Sequence, residues 1–271
     1  MIKQAIIPLA GLGTRLLPLT SVIPKELLPI NGKPNLEYIM EECIEAGIRQ
    51  FILIISKEKI SIKKYFFNDS FYKKIIKRKK DKRLIAEFRK IKKYQKMIKF
   101  VYQNKPKGTG DAVLKCKKFI KGKYFLMLLP DDLIIKKNCT IEMIKLHLKT
   151  KGSIIATKKV DKNTVSRWGI LSIKKKRKNY FQIKDVVEKP SIKNAPSNYA
   201  IIGRYILSTD IFDEIKRLRP GQGGEIHITD AIKNLILKGK KFFGNIFKGK
   251  YLDCGTINGY IQSSIQIFKG N

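Results

Sequence analysis

Acidic side chains are scarce in this chain: of 271 residues, 22 are Asp or Glu against 58 Lys or Arg, a formal net charge of +36. Histidine is scarcer still. His147 and His227 stand far apart without a partner in sequence, so neither is expected to be catalytic. The four cysteines, Cys43, Cys116, Cys139 and Cys254, form no C-x-x-C pair, which excludes a zinc ribbon or a thioredoxin-type motif. They read as reduced thiols used as small apolar groups. No apolar run reaches the ~18 residues needed to span a bilayer. The opening Met1-Ile2-Lys3-Gln4 enters a strand at once and lacks a secretion signal. A cytoplasmic protein without membrane contact is expected.

So large a positive charge ordinarily points to nucleic acid. Its distribution points elsewhere. Lysine is spread over almost every segment beside abundant Ile and Asn, the pattern of drift under an AT-rich coding bias. The densest run, Lys73 to Lys93, reads as a solvated face. No specific nucleic-acid partner is expected, although weak nonspecific RNA binding or faster capture of anionic substrates would follow from the charge.

What is present begins with a buried strand, Ala5 to Leu9, that runs into Ala10-Gly11-Leu12-Gly13-Thr14-Arg15. Gly11 and Gly13 let a ligand approach the backbone N–H groups. Arg15 and Lys25 add a planar fork and a point charge suited to phosphate oxygens. The loop is not a Walker A motif, because no Gly-Lys-Ser/Thr closes it, and it lacks the third glycine of the dinucleotide fingerprint.

Strand and helix patterns then alternate. A helix is expected over Asn35–Ala46 and strands over Phe51–Ile55, Lys99–Gln103 and Tyr124–Leu129. This alternation predicts an α/β fold with a Rossmann-like, mostly parallel sheet flanked by helices. Lys107-Gly108-Thr109-Gly110 is a second flexible loop, expected to open a helix at Asp111. The Gln103 amide suits the edge of a uracil ring. Asp131, at the C-terminal end of a parallel strand, suits Mg²⁺ bound together with substrate phosphates. Asp132 stands behind it or caps a helix.

Further along, a helix is expected over Ile141–Leu148 and a strand over Ser153–Thr157. Arg167–Ile173 and Tyr180–Val187 alternate like two antiparallel strands, Asn198–Leu207 is a further strand, and Gly221–Gly224 a flexible loop. A short strand over Phe242–Phe247 and a final helix with an apolar stripe at Ile261–Phe268 close the pattern. Asp230 is expected to cap a helix. Asp253 before Gly255 is either a turn acid or a second metal carboxylate.

The stretch Gly11-x-Gly13-Thr14-Arg15-x-x-Pro18-x-Thr20-x-x-x-Pro24-Lys25-x-x-x-Pro29 fills every fixed place of a signature it resembles, that of the sugar nucleotidyltransferases. The Pro24-Lys25-Glu26-Leu27-Leu28-Pro29 form is similar to that of the bacterial uridylyltransferases that act on glucose 1-phosphate. The resemblance continues through Val187-Glu188-Lys189-Pro190 and the Ala200-to-Tyr205 run, and is weakest over Lys57–Lys96. It implies one nucleotidyltransferase domain over 1–271, with 57–96 a basic helical insertion and 160–207 a β-rich, partly antiparallel sugar-binding part.

It further implies Mg²⁺-assisted uridylyl transfer from UTP to glucose 1-phosphate, giving UDP-glucose and pyrophosphate. Arg15 and Lys25 would hold the triphosphate and Lys189 the sugar phosphate. Ala10, Gly11, Gly13, Gln103 and Gly108 would bind the nucleotide, and Gly169, Glu188 and Gly203 the sugar. Asp131 and Asp253 would hold the Mg²⁺. Thymidylyl transfer to the same sugar stays an alternative, as does a noncatalytic RNA-binding protein on this scaffold. The tail after the last helix is shorter than the family leads one to expect, so a homodimer or homotetramer stays open.

Overall fold

The computed structural model describes residues 2–221 and 224–270. Strand β1 (Gln4–Pro8) is followed by a hairpin of β2 (Pro29–Ile30) and β3 (Lys33–Pro34), then helix α1 (Asn35–Glu45) and β4 (Gln50–Ile55). Asn31 and Gly32 turn that hairpin with φ of 46° and 75°, the left-handed pair that a two-residue loop favours. Three helices come next, α2 (Ile60–Phe67), α3 (Asp69–Lys79) and α4 (Lys82–Met97), leading to β5 (Ile98–Tyr102). The middle of the chain is α5 (Gly108–Leu114), β6 (Tyr124–Leu128), β7 (Asp132–Ile135), α6 (Cys139–Thr150) and β8 (Ser153–Lys159). Then follow β9 (Gly169–Lys176), β10 (Tyr180–Glu188), β11 (Tyr199–Ser208), α7 (Ile211–Arg217), α8 (Ile228–Leu237), β12 (Phe242–Ile246), β13 (Lys250–Asp253) and α9 (Ile257–Lys269).

Nine strands form one sheet in the order β5-β4-β1-β6-β11-β8-β12-β10-β9. The β5-β4-β1-β6 half is parallel, and β11 runs antiparallel to both β6 and β8. The segment 160–207 therefore adds β9 and β10 at one edge but sends β11 to the sheet's centre. Alternation along the strands divides the core. Ala5, Ile7, Phe51, Leu53 and Ile55 pack on one face with α1, α2 and α6, while Ile6, Ile52 and Ile54 pack on the other with α5, α7 and α8. The chain goes from β1 outward to β4 and β5, then returns to place β6 on the opposite side of β1. That reversal is a topological switch point, where open α/β sheets bind ligands.

Several boundaries differ from the sequence expectation. α5 begins at Gly108, not Asp111, because Gly110 N–H bonds Ile226 O at 2.7 Å and pulls the loop into the turn early. Asp230 does not cap α8: it lies inside the first turn, with His227 before the helix. Asp132 caps no helix either, since it opens β7, which pairs with β13 in a small separate sheet that aligns Asp132 with Asp253. Among the aromatics of the helical insertion, Phe66 and Tyr94 are buried, but Phe67 and Phe71 remain exposed. The expected loop Gly221–Gly224 includes residues 222 and 223, outside the described residues. All four cysteines are buried free thiols, and burial pushes Cys116 and Cys254 up to about 12. Among the described residues no helix is long and apolar enough to cross a membrane.

Arg204 on β11 is fully buried. Its Nε and Nη2 donate to Glu42 Oε2 on α1 at 3.1 and 3.0 Å, and its Nη1 donates to Leu129 O and Gly203 O, both at 3.1 Å. Thr140 completes the group by donating its hydroxyl to Glu42 Oε1 at 2.6 Å. Removing one partner of such a pair strands a buried charge, at about 3–5 kcal/mol. Arg204→Met is expected to lower unfolding stability by that amount, read from urea denaturation. A loss under ~1 kcal/mol would mean that Glu42 is neutralised some other way.

Candidate active site

The C-terminal ends of β1 and β6 open into a crevice of about 740 Å³. Ala10, Gly11, Gly13 and Arg15 line it, together with Lys25, Asp131 and Asp253. Gln103 and Gly108 line it from the β5–α5 loop, and Gly169, Glu188 and Gly203 from the β9–β11 side. Residues as distant in sequence as Ala10 and Asp253 thus share one cavity.

The loop after β6 is braced atom by atom. Leu129 O accepts from Arg204, Pro130 O from Asn35 Nδ2 at 2.8 Å, and Asp131 O from Cys254 N–H at 2.7 Å. Asp131 is thereby displayed on a fixed backbone, the preorganisation a charged site requires. Lys25 Nζ stands 2.6 Å from both carboxylate oxygens, though only Oδ2 accepts an aligned hydrogen bond. Arg15 Nη2 approaches Oδ2 at 3.3 Å while its side chain stays 62% exposed. Lys25, at 16%, is held far more firmly.

Directly behind Lys25, Glu26 is fully buried and accepts from Lys59 Nζ at 2.8 and 2.9 Å. Burial raises the Glu26 carboxyl and lowers the Lys59 ammonium, with the mutual attraction opposing both shifts. The pair fixes the backbone on which Lys25 sits.

Two glycines are required by close approach. A Cβ on Gly203 would lie 2.5 Å from Leu129 Cβ and would also collide with the Asp132 carboxylate. Gly108 combines a φ of +91° with the Ile226 carbonyl 2.6 Å from where its Cβ would be. No L side chain fits either place.

Lys189 is set apart. β10 ends at Glu188, and Lys189 turns with φ of 43°, its N–H bonded to Trp168 O at 3.0 Å. The chain bends here, one residue before Pro190. The bend leaves the lysine side chain exposed and not among the residues that line the crevice. His147 and His227 do not line it either. His147 instead donates Nδ1–H to Gly152 O at 2.8 Å.

Sequence reasoning missed the floor. Asp132 is buried, and burial raises its carboxyl. It accepts from Tyr251 Oη at 2.6 Å and from Gly203 N–H at 2.9 Å. Tyr251 in turn carries Lys158 Nζ over its ring at 4.0 Å and meets Trp168 edge-on at 6.0 Å. The bond ties β13 to β7 and so sets where Asp253 stands relative to Asp131. Only the odd spacing of Tyr251 two residues before Asp253 hinted at it, since i and i+2 share a strand face.

A family profile for the nucleotidyl transferases matches residues 4–270. The chain belongs to the nucleotidyl transferase family. Among curated relatives, a UTP–glucose-1-phosphate uridylyltransferase of Staphylococcus saprophyticus is 38% identical over 98% of this chain and 92% of its own. One of Mycoplasma pneumoniae is 36% identical over 97% and 91%. A solved UDP-glucose pyrophosphorylase complexed with UDP-glucose superposes with a TM-score of 0.88 at 36% identity, covering both chains fully. A UTP-bound structure from Acinetobacter baumannii gives 0.89 at 32% identity over 98% and 93% of the two chains. The α/β fold expected from the sequence is the nucleotidyl transferase fold, with β11 and β10 each antiparallel to the strands beside them.

Tyr251→Phe keeps the ring and removes one hydroxyl donor from a buried carboxylate. A loss of about 1–3 kcal/mol of stability is expected, measured as a lowered urea midpoint. An unmoved midpoint would show that Asp132 does not depend on this bond.

Proposed function

We propose that the nucleotidyl transferase crevice joins UTP to glucose 1-phosphate, releasing pyrophosphate and forming UDP-glucose. The observation that carries this reading is the convergence of Arg15, Lys25, Asp131, Asp253, Gln103 and Glu188 on one cavity at the switch point of the sheet. The names of the curated relatives support the same substrates.

The uracil end falls at the β5–α5 loop. Gln103 donates its amide N–H groups to Gly108 O at 3.1 Å and Asp111 Oδ2 at 2.7 Å. Its Oε1 is then the atom presented for a base, an acceptor for the N3–H of uracil and a mismatch for cytosine, whose N3 only accepts. The triphosphate runs along Gly11 and Gly13 toward Arg15 and Lys25. The sugar lies against Gly169 and Gly203, with Glu188 accepting bonds from its hydroxyls.

The reaction is an in-line displacement. A phosphate oxygen of glucose 1-phosphate forms a bond to the α-phosphorus of UTP, and the bond from that phosphorus to the β-phosphate oxygen breaks. The second pKa of a phosphate monoester is about 6, so the nucleophile is already ionised at neutral pH and needs no base. The absence of a histidine from the lining agrees with that chemistry. Lys25 and Arg15 exchange Asp131 for the triphosphate, holding it in line and drawing charge toward the leaving pyrophosphate. Lys189 reaches the sugar phosphate from outside the lining.

The residues present fit Mg²⁺. Asp131 Oδ1 is buried and accepts no aligned hydrogen bond among the described residues, its close neighbour being the Lys25 ammonium at 2.6 Å that a triphosphate would draw away. A Cβ built on Gly255 would lie 3.1 Å from Asp131 Oδ2 and 3.2 Å from Asp253 Oδ1, so the two carboxylates border one small hollow. Two carboxylates plus substrate phosphates is a donor set that Mg²⁺ favours. Asp131 and Asp253 would hold the ion, which supplies charge neutralisation on the phosphate oxygens.

The test is pyrophosphate release by the purified protein with Mg²⁺ and a panel of nucleoside triphosphates and hexose 1-phosphates. UTP with glucose 1-phosphate is expected to give the highest kcat/KM, and a higher value with dTTP would replace the assignment. In that assay Lys25→Ala is expected to lower turnover by at least ~10²-fold. Near-normal turnover would remove Lys25 from the reaction. Glu188→Gln is expected to raise KM for the sugar phosphate by about tenfold with little change in kcat, the pattern of lost ground-state binding. An unchanged KM would reduce Glu188 to a bystander.

A further inference from the structure

No side chain of the basic helical insertion lines the crevice, although Lys59 braces Glu26 from behind, and the insertion builds a cavity of its own. A groove of about 630 Å³ runs between α3 and α4. On α4 its lining residues are spaced i, i+3, i+4 from Ile85 through Phe88 and Arg89 to Lys96. They lie on one face of the helix, over about 16 Å of its length. Its floor is almost wholly apolar, made by Ile76 of α3 with Ile85 and Phe88 of α4.

The rim is entirely cationic. Lys73 and Lys77 stand on the α3 side, and Arg89, Lys93 and Lys96 on the α4 side. None of these five takes part in an ion pair of 4.0 Å or less among the described residues. The lysines that are paired lie elsewhere, apart from Lys92, which holds Asp69 at 2.7 Å. Glu87 falls on the opposite face of α4, two positions out of step with the stripe.

We propose that this groove docks an acidic amphipathic helix of a partner protein. The apolar floor takes side chains at helical spacing, and the unpaired rim takes the partner's carboxylates, the helix-in-groove mode of recognition. Charge decides against a second copy of this chain, because each copy carries +36. Shape decides against a flat bilayer, since the floor is recessed between two rows of cations. Ring placement decides against single-stranded RNA. Tyr72 already covers one face of Phe88 at 5.5 Å, and the exposed Phe71 does not line the groove, so the described lining offers at most one ring and no succession of platforms for a strand of bases.

The test uses a fluorescein-labelled peptide of about four helical turns, with Leu at i, i+3 and i+4 spacing and Glu elsewhere. Fluorescence anisotropy with the full chain is expected to show saturable binding that weakens as salt rises. The same peptide with Ser in place of Leu keeps the charge and is expected to bind at least about tenfold more weakly. The double substitution Lys77→Glu and Lys93→Glu is expected to raise Kd at least about tenfold while pyrophosphate release is unchanged. Equal binding of the Leu and Ser peptides would overturn the proposal, because it would reduce the effect to general charge attraction. So would indifference to the charge reversal. Tighter binding of poly(U) or of phosphatidylglycerol vesicles to the same reversal-sensitive surface would give the groove to that other class of partner.

Discussion

A fully buried guanidinium holds this molecule's working parts in place. Arg204 reaches from the central antiparallel strand to Glu42 on α1, and its remaining nitrogen binds the carbonyls of Leu129 and Gly203. Leu129 follows the end of β6, Gly203 lies within β11, and both line the crevice. A buried ion pair is a weak source of net stability, and its better-attested use is to fix one arrangement against others. Here it fixes the join between the parallel half of the sheet and β11. The cost of desolvating Arg204 is offset by five directed bonds.

From that brace the electrostatics of the crevice follow. Asp131 is presented on backbone whose carbonyls are all engaged, and two cations lean on its carboxylate. Without a nucleotide the cluster neutralises itself. A triphosphate offers Arg15 and Lys25 more negative charge than one carboxylate does, so the cations can exchange partners without leaving the site. The differing exposure of the two suits this division: Lys25 is held against the buried Glu26–Lys59 pair, while Arg15 swings at the mouth. The net positive charge of the whole surface adds a field that favours anionic substrates.

Much of the site was legible because its residues sit in a dense local pattern. Gly11 through Pro29 carries its glycines and cations within one short stretch, and the alternating strand and helix periods place that stretch at the mouth of a parallel sheet. Asp131 was legible for the same reason, as an acid at a strand end. The Tyr251–Asp132 bond was not, because its partners are 119 residues apart and β7 and β13 are too short to announce themselves by periodicity. Lys189 was legible as a motif residue but not in its placement. Its neighbour Glu188 enters the crevice, but a positive φ at the lysine sends the adjacent side chain elsewhere.

The sequence by itself determined the local chemistry: a loop of glycines and cations after the first strand, and carboxylates after two others. It also determined the α/β alternation, because period and turn residues are properties of neighbours along the chain. Only the tertiary structure decided which strand ends meet. The insertion of β11 between β6 and β8, the alignment of Asp132 with Asp253, and the cationic groove between α3 and α4 arise from contacts between distant segments. Such contacts depend on the sheet's strand order and on buried polar groups seeking partners, and neither leaves a periodic trace in the sequence.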